Sequence, residues 1–207
     1  MSNSPIASSS AKKIVSDADT GVLVVLCGPS GVGKSTISRL LSQAIGVSYT
    51  TSVTTRQERP GDDKGKTYEY VDKTEFYRRL DLDEYLEYAR VYGEYYATPK
   101  RPALDHLAQG RDVLLEIDVQ GALQVRFHYP KALTVFLLPP DEETLLQRLH
   151  DRGRDEPDEI NKRYRAAKRE IHMARGSGAF DFMIVNDTLK DAVDEIIKII
   201  KLKKSNF

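Results

Sequence analysis

Gly28-Pro29-Ser30-Gly31-Val32-Gly33-Lys34-Ser35 has the form G-x-x-x-x-G-K-S. The stretch follows an apolar run, Val22-Leu23-Val24-Val25-Leu26-Cys27, and precedes Ile37, Leu40, Leu41 and Ala44, which share one helical face. A strand, a glycine-rich loop and a helix in that order make an anion site. The glycines let backbone N–H groups turn inward, and the helix start adds its positive end. Lys34 brings a point charge to the β- and γ-phosphates of a nucleotide. The Ser35 hydroxyl can ligate Mg²⁺. A glycine turn capped by Ser35 would explain neither the lysine nor the second glycine.

The rest of the chain bounds the context. Its 207 residues fit one domain with insertions, and 40% hydrophobic with 30% charged residues is an ordinary globular composition. Lys+Arg and Asp+Glu balance at 31 each, so no global field draws nucleic acid or an anionic membrane. The basic stretch from Lys162 to Arg169 is the sole feature in favour of nucleic acid. No apolar run approaches a bilayer span, so no membrane partner is expected. The single cysteine, Cys27, excludes an internal disulfide and fits a reducing, cytoplasmic setting. The four histidines are scattered without ligand spacing. Residues 1–19 are Ser-rich, lack a signal-peptide core and read as a disordered tail.

Apolar runs at 22–27, 47–53, 113–117, 133–138 and 182–185 predict five strands of a parallel sheet. Helical spacing predicts helices at 35–44, 99–108, 119–127, 141–150, 158–174 and 189–202. Alternating strands and helices argue for a doubly wound α/β fold, with ligands beyond the carboxyl ends of the strands. Two stretches break the alternation. Residues 52–98 hold short Tyr- and Val-rich runs at 67–71, 84–88 and 91–96, the last with hairpin character around Gly93, and read as an inserted β subdomain. Residues 142–168 are Arg-rich and interrupted by Gly153 and Pro157, and read as a two-armed helical lid.

A second constellation narrows the chemistry. Ser52-Val53-Thr54-Thr55-Arg56-Gln57-Glu58-Arg59-Pro60-Gly61 continues to Gly65-Lys66-Thr67-Tyr68. The guanidinium forks of Arg56 and Arg59 with the Tyr68 hydroxyl make a second phosphate site. That implies a phosphorylated acceptor. Taken without the loop, both arginines read equally well as loop charges paired with Glu58, Asp62 and Asp63.

The segments 28–36, 52–61 and 65–68, then Glu87, Gly93-x-Tyr95-Tyr96 and Asp118-x-Gln120-Gly121, occur in that order, and together they resemble guanylate kinase from about residue 21 onward. The resemblance implies a P-loop α/β fold with a five-stranded parallel core (20–51, 99–141, 169–207), a GMP-binding subdomain (52–98) and an arginine lid (142–168) within a domain of 20–207. It implies ATP and GMP as substrates and Mg²⁺ as cofactor. Gly28, Pro29, Ser30, Gly31, Val32, Gly33, Lys34, Ser35 and Thr36 match the ATP loop. Arg56, Arg59, Tyr68 and Tyr96 match positions that hold the GMP phosphate. Ser52 and Thr98 match donors to guanine O6, and Glu87 and Asp118 match acceptors for its N1–H and amine. Those carboxylates would select guanine, since adenine leaves them unpaired. Asp118 also fits a helix N-cap, and Glu87 an outward strand residue. Glu116 shares a strand face with Asp118 and suits either the Mg²⁺ water shell or a structural contact. Arg148, Arg152 and Arg163 match arginines that close on the transferring phosphates. Asn186 matches a residue near the ATP base and equally suits a turn.

Ala97 departs from the family's usual glycine, and Thr98 keeps a hydroxyl where some members have serine. Two other readings fit the same fold: a catalytically silent module that binds phosphopeptides, and a kinase for another phosphorylated acceptor. The intact Lys34-Ser35 and the lid arginines oppose the first, and the Glu87–Asp118 pair opposes the second. Oligomeric state is not legible.

Overall fold

The computed structural model describes residues 21–58, 62, 68–91, 93–151 and 157–205. Its elements in chain order are β1 (Leu23–Cys27), α1 (Lys34–Ile45), β2 (Ser48–Tyr49), β3 (Ser52–Thr54), β4 (Tyr68–Tyr70), α2 (Lys73–Asp81), β5 (Tyr85–Val91), β6 (Glu94–Pro99), α3 (Lys100–Ala108), β7 (Val113–Glu116), α4 (Val119–His128), β8 (Leu133–Leu138), α5 (Glu142–His150), α6 (Pro157–Ser177), β9 (Phe182–Val185) and α7 (Leu189–Ser205). The disordered-tail expectation for 1–19, together with Arg59, Arg152 and Gly153, lies outside the described residues.

β1 decides the core. All five of its residues are buried. Val24 and Leu26 pack against α1 and α7 residues such as Ile37, Leu41, Ile196 and Ile200. Leu23, Val25 and Cys27 point the other way, onto Ala122, Val125 and Phe136. Period-two alternation with both faces apolar is the signature of a central parallel strand. The five-stranded sheet has the order β2-β7-β1-β8-β9 and every pair is parallel. The α/β reading therefore holds.

A second, four-stranded sheet has the order β4-β3-β6-β5. β5 and β6 form an antiparallel hairpin around Gly93, whose φ of 90° is the left-handed region that glycine occupies freely. The run at 47–53 is not one strand. Ser48–Tyr49 pairs with β7 at the edge of the first sheet, and two residues later Ser52–Thr54 pairs with β4 and β6 in the second. An apolar run carries no mark of such a change, because Val47 and Val53 are buried in different cores. The inserted region also contains α2, which no expectation covered. Its Phe76 is fully buried against Val53, Tyr85 and Ala97. Asp72 caps it by accepting from the Glu75 N–H at 2.8 Å.

α5 and α6 form the two arms expected of the lid, and α6 continues unbroken across residue 168 to Ser177. At the opposite end of the sheet, Asp112 gathers two distant parts of the chain. Its Oδ1 accepts from the Val22 N–H at 2.9 Å, and its Oδ2 accepts from Lys204 Nζ at 2.9 Å.

Candidate active site

The phosphate loop leaves β1 at Gly28, with φ 152°, where a Cβ would stand 2.8 Å from the Leu137 carbonyl oxygen. It enters α1 at Gly33, with φ 100°, where a Cβ would stand 2.6 Å from Asn186 Nδ2. Neither position admits another residue without strain. Lys34 curls over the loop, and its Nζ donates to the Gly28 oxygen at 2.5 Å and the Pro29 oxygen at 3.1 Å. Ser35 Oγ donates to Glu116 Oε1 at 2.7 Å. Pro29 and Val32 are buried behind the loop, and Thr36 is half-buried in the first turn of α1.

Asn186 is buried rather than open to the cleft. Its Nδ2 donates to the Val32 oxygen at 2.7 Å, so it braces the loop from behind. Arg148 Nη1 in turn donates to the Asn186 carbonyl at 3.1 Å. These two residues stand together on the far side of the loop.

The second sheet supplies the facing wall. Arg56 is sandwiched by tyrosines, 4.9 Å from the Tyr68 ring centroid and 5.6 Å from that of Tyr70. Its fork grips Asp62, with Nη1–Oδ2 at 2.6 Å and Nη2–Oδ1 at 3.1 Å. Tyr70 donates to the same carboxylate at 2.7 Å. That hydrogen-bonded carboxylate holds the guanidinium above even its usual range. An oxyanion thus already sits in a fork suited to phosphate. Tyr96 meets Tyr68 edge-on at 5.8 Å, and burial pushes the Tyr68 phenol up.

Glu87 is the buried charge of the wall, at 5% exposure. Thr98 Oγ1 donates to its Oε1 at 2.6 Å. Burial pushes its carboxyl up to about 7; the Thr98 hydrogen bond opposes this and the nearby Asp118 charge adds to it. Asp118 caps α4 by accepting from the Gly121 N–H at 2.9 Å, and burial raises it too. Both readings of Asp118 therefore coexist: it is the N-cap, and it faces the cleft.

One cleft of about 370 Å³ joins these parts. From the phosphate loop, Gly28, Ser30, Gly31, Gly33, Lys34 and Ser35 line it. Ser52, Arg56, Tyr68, Glu87 and Tyr96 line the opposite wall, with Asp118 from the core and Arg163 from α6. Thr98 reaches it through Glu87. Arg59 and Arg152 lie outside the described residues. The cleft also holds Glu94, Glu116, Glu159 and Glu170, none singled out by motif apart from Glu116. Glu170 was legible: it lies seven residues after Arg163 on α6, on the same face two turns on. Burial pushes its carboxyl up while Lys34 draws it down. Glu94 accepts from Thr55 Oγ1 at 2.7 Å, a cross-strand pairing that spacing does not reveal.

Cations at one end and paired carboxylates at the other suit a ligand with phosphates and a hydrogen-bond-donating base. Comparisons with known proteins agree. The family model described as guanylate kinase matches residues 20–203. A guanylate kinase of Dechloromonas aromatica is 45% identical over 188 residues, covering 90% of this chain and 92% of its own. One from Trichodesmium erythraeum is 42% identical over 182 residues, covering 87% and 96%. The crystal structure of guanylate kinase from Anaplasma phagocytophilum superposes with a TM-score of 0.74 at 31% identity, covering 90% of this chain and 87% of that one.

Proposed function

The chain belongs to the guanylate kinase family, and on that premise we propose that its cleft transfers the γ-phosphoryl group of ATP to the phosphate of GMP, giving ADP and GDP. The observation that carries the reading is the convergence on one cleft of the Lys34–Ser35 loop and the Glu87–Asp118 pair. The first suits a polyphosphate, the second a guanine edge.

The geometry supports the following division of labour. The loop and Lys34 hold the ATP phosphates, with Lys34 exchanging its two carbonyl contacts for phosphate oxygens. Arg56, Tyr68 and Tyr96, together with Arg59, hold the GMP phosphate, which displaces Asp62 from the Arg56 fork. Glu87 and Asp118 accept the guanine N–H groups. The Thr98 proton is committed to Glu87, so donation to guanine O6 falls to Ser52, and Thr98 orients the carboxylate. Arg163, with Arg152, reaches the transferring group when the lid closes. Arg148 joins them only by releasing the Asn186 carbonyl, and Asn186 serves the loop rather than the ATP base.

The donor set also fits Mg²⁺, since Ser35 offers a hydroxyl on the cleft and Glu116, bonded to it, a carboxylate able to hold a metal-bound water. When bound, the ion neutralises charge on the phosphates. The acceptor oxygen is already anionic, so no general base is required, and positioning plus charge neutralisation make up the catalysis. Expulsion of water keeps it from competing as acceptor.

By the same reading the protein comprises a core (20–51, 99–141, 169–207), an acceptor subdomain (52–98) and a lid (142–168), and works in the cytoplasm. No helix among the described residues is long and apolar enough to cross a membrane. The test is a coupled assay with ATP, Mg²⁺ and GMP, AMP, CMP, UMP, IMP or guanosine. GMP should be used far better than the other monophosphates, and guanosine, which lacks the acceptor phosphate, should fail. Equal use of AMP, or efficient use of guanosine, would overturn the reading.

A further inference from the structure

Gly121 sits in the first turn of α4, where glycine is a poor helix former and no unusual backbone angle requires it. Its reason is steric. A Cβ there would stand 2.1 Å from Glu87 Oε2 and 2.9 Å from Glu87 Cδ. The neighbour is not a free side-chain end, because Glu87 is buried and its other oxygen is tied to Thr98. The same residue's N–H donates to Asp118 Oδ1 at 2.9 Å. One glycine therefore touches both carboxylates, one through its missing side chain and the other through its backbone.

A second contact fixes the same seam. Gln124, one turn further along α4, donates from Nε2 to the Tyr88 oxygen at 2.6 Å and accepts from the Tyr88 N–H at 3.2 Å. Its amide pairs with the backbone of β5 as a neighbouring strand would, directly after Glu87.

We propose that Gly121, supported by Gln124, is a specificity-positioning residue that sets the spacing of Glu87 and Asp118 to the two N–H donors of a guanine base. The inference rests on the reading of Glu87 and Asp118 as the guanine acceptors. Glu87 comes from the second sheet and Asp118 from the first, so their separation depends on how closely α4 approaches β5. Glycine lets that approach be close enough for two acceptors to meet one base edge. A site built to pair with such donors discriminates sharply, and a displaced acceptor loses that discrimination before it loses general activity.

The test compares four full-length variants with GMP and with IMP, which lacks the exocyclic amine. Gly121→Ala should raise the KM for GMP on the order of 10- to 100-fold, leave the KM for ATP unchanged, and bring the GMP-to-IMP ratio of kcat/KM towards one. Adding Glu87→Asp to Gly121→Ala should restore part of the loss, because the shorter carboxylate clears the new methyl group. Gln124→Leu should move the same ratio in the same direction, and it decides the question if Gly121→Ala does not fold. Glu87→Gln separates the two layers. If it loses GMP use while Gly121→Ala and Gln124→Leu keep the wild-type ratio, the positioning role is wrong and the acceptor reading stands. If Glu87→Gln keeps GMP use, both fall. Equal losses with GMP and IMP in the α4 variants would mark a merely structural contact and overturn the proposal.

Discussion

Burying Glu87 has opposite consequences for folding and for binding, and pH separates them. Its carboxyl is raised from 4.5 to about 7. A carboxyl raised on folding binds more protons in the native state, so stability declines as pH rises from about 4.5 to about 7 and the penalty then stays constant. A shift of that size corresponds to on the order of 3 kcal/mol. Glu87→Gln removes the ionisation, so its melting temperature should exceed that of the wild type at pH 8 and converge with it near pH 4.5. Guanine needs the ionised form as acceptor, so wild-type kcat/KM for GMP should rise with pH through about 7, and the inflection should vanish in Glu87→Gln. That variant should also lose about 1.5–3 kcal/mol of GMP recognition. A flat wild-type profile would contradict the buried-acceptor role. Lys34→Ala should abolish turnover with little change in melting temperature, because the side chain is half-buried and bonds only the loop's own carbonyls. Near-normal turnover would remove the loop from the chemistry. At this scale motif spacing made the loop's place on the cleft legible, and Arg56 lines the cleft while also holding Asp62, so both of its readings meet there. The Thr98–Glu87 bond was not, since it joins neighbouring strands.

Among the elements, the loop between β1 and α1 depends on a brace from another part of the chain. Asn186→Ala leaves the buried Val32 carbonyl without its partner and opens a void behind the loop. It should cost about 1–3 kcal/mol of stability and raise the KM for ATP, while the KM for GMP stays near normal. Titrating each substrate separately reads the difference, and a matching rise for GMP would show a general loosening instead. Asp72→Ala should cost about 1 kcal/mol through the lost α2 cap and affect GMP before ATP, since Phe76 of that helix packs under the acceptor wall. The first sheet and six of the seven helices among the described residues were readable from periodicity. α2 escaped because among its residues only Phe76 is buried, although Asp72 and Glu75 carried the spacing of a cap. The break between β2 and β3 escaped because the chain changes sheets with no glycine or proline to mark it.

On the scale of the whole molecule, three of the cations matched to phosphates each hold an oxygen of the protein. Lys34 rests on loop carbonyls, Arg56 on Asp62 and Arg148 on the Asn186 carbonyl. On the proposed function, nucleotide binding should exchange these contacts. A crystal structure with GMP and a non-hydrolysable ATP analogue should show Lys34 released from the Gly28 carbonyl and Asp62 out of the Arg56 fork. Arg163→Ala should lower kcat by roughly 10²-fold with GMP affinity by calorimetry little changed, because its contact forms mainly at the transition state. Loss of GMP binding would place Arg163 in the acceptor site. Of the cleft carboxylates, Glu94 could not be read from the sequence, since the hairpin brings it to the cleft only after folding. Far from the cleft, Asp112 joins the entry to β1 with the last turn of α7. Residues 22 and 204 are therefore neighbours in space, and the chain can be rewired. A circular permutant that links residue 205 to residue 21 through a short glycine–serine linker, with new ends between the exposed Leu82 and Asp83, should fold with the same sheet order and still phosphorylate GMP.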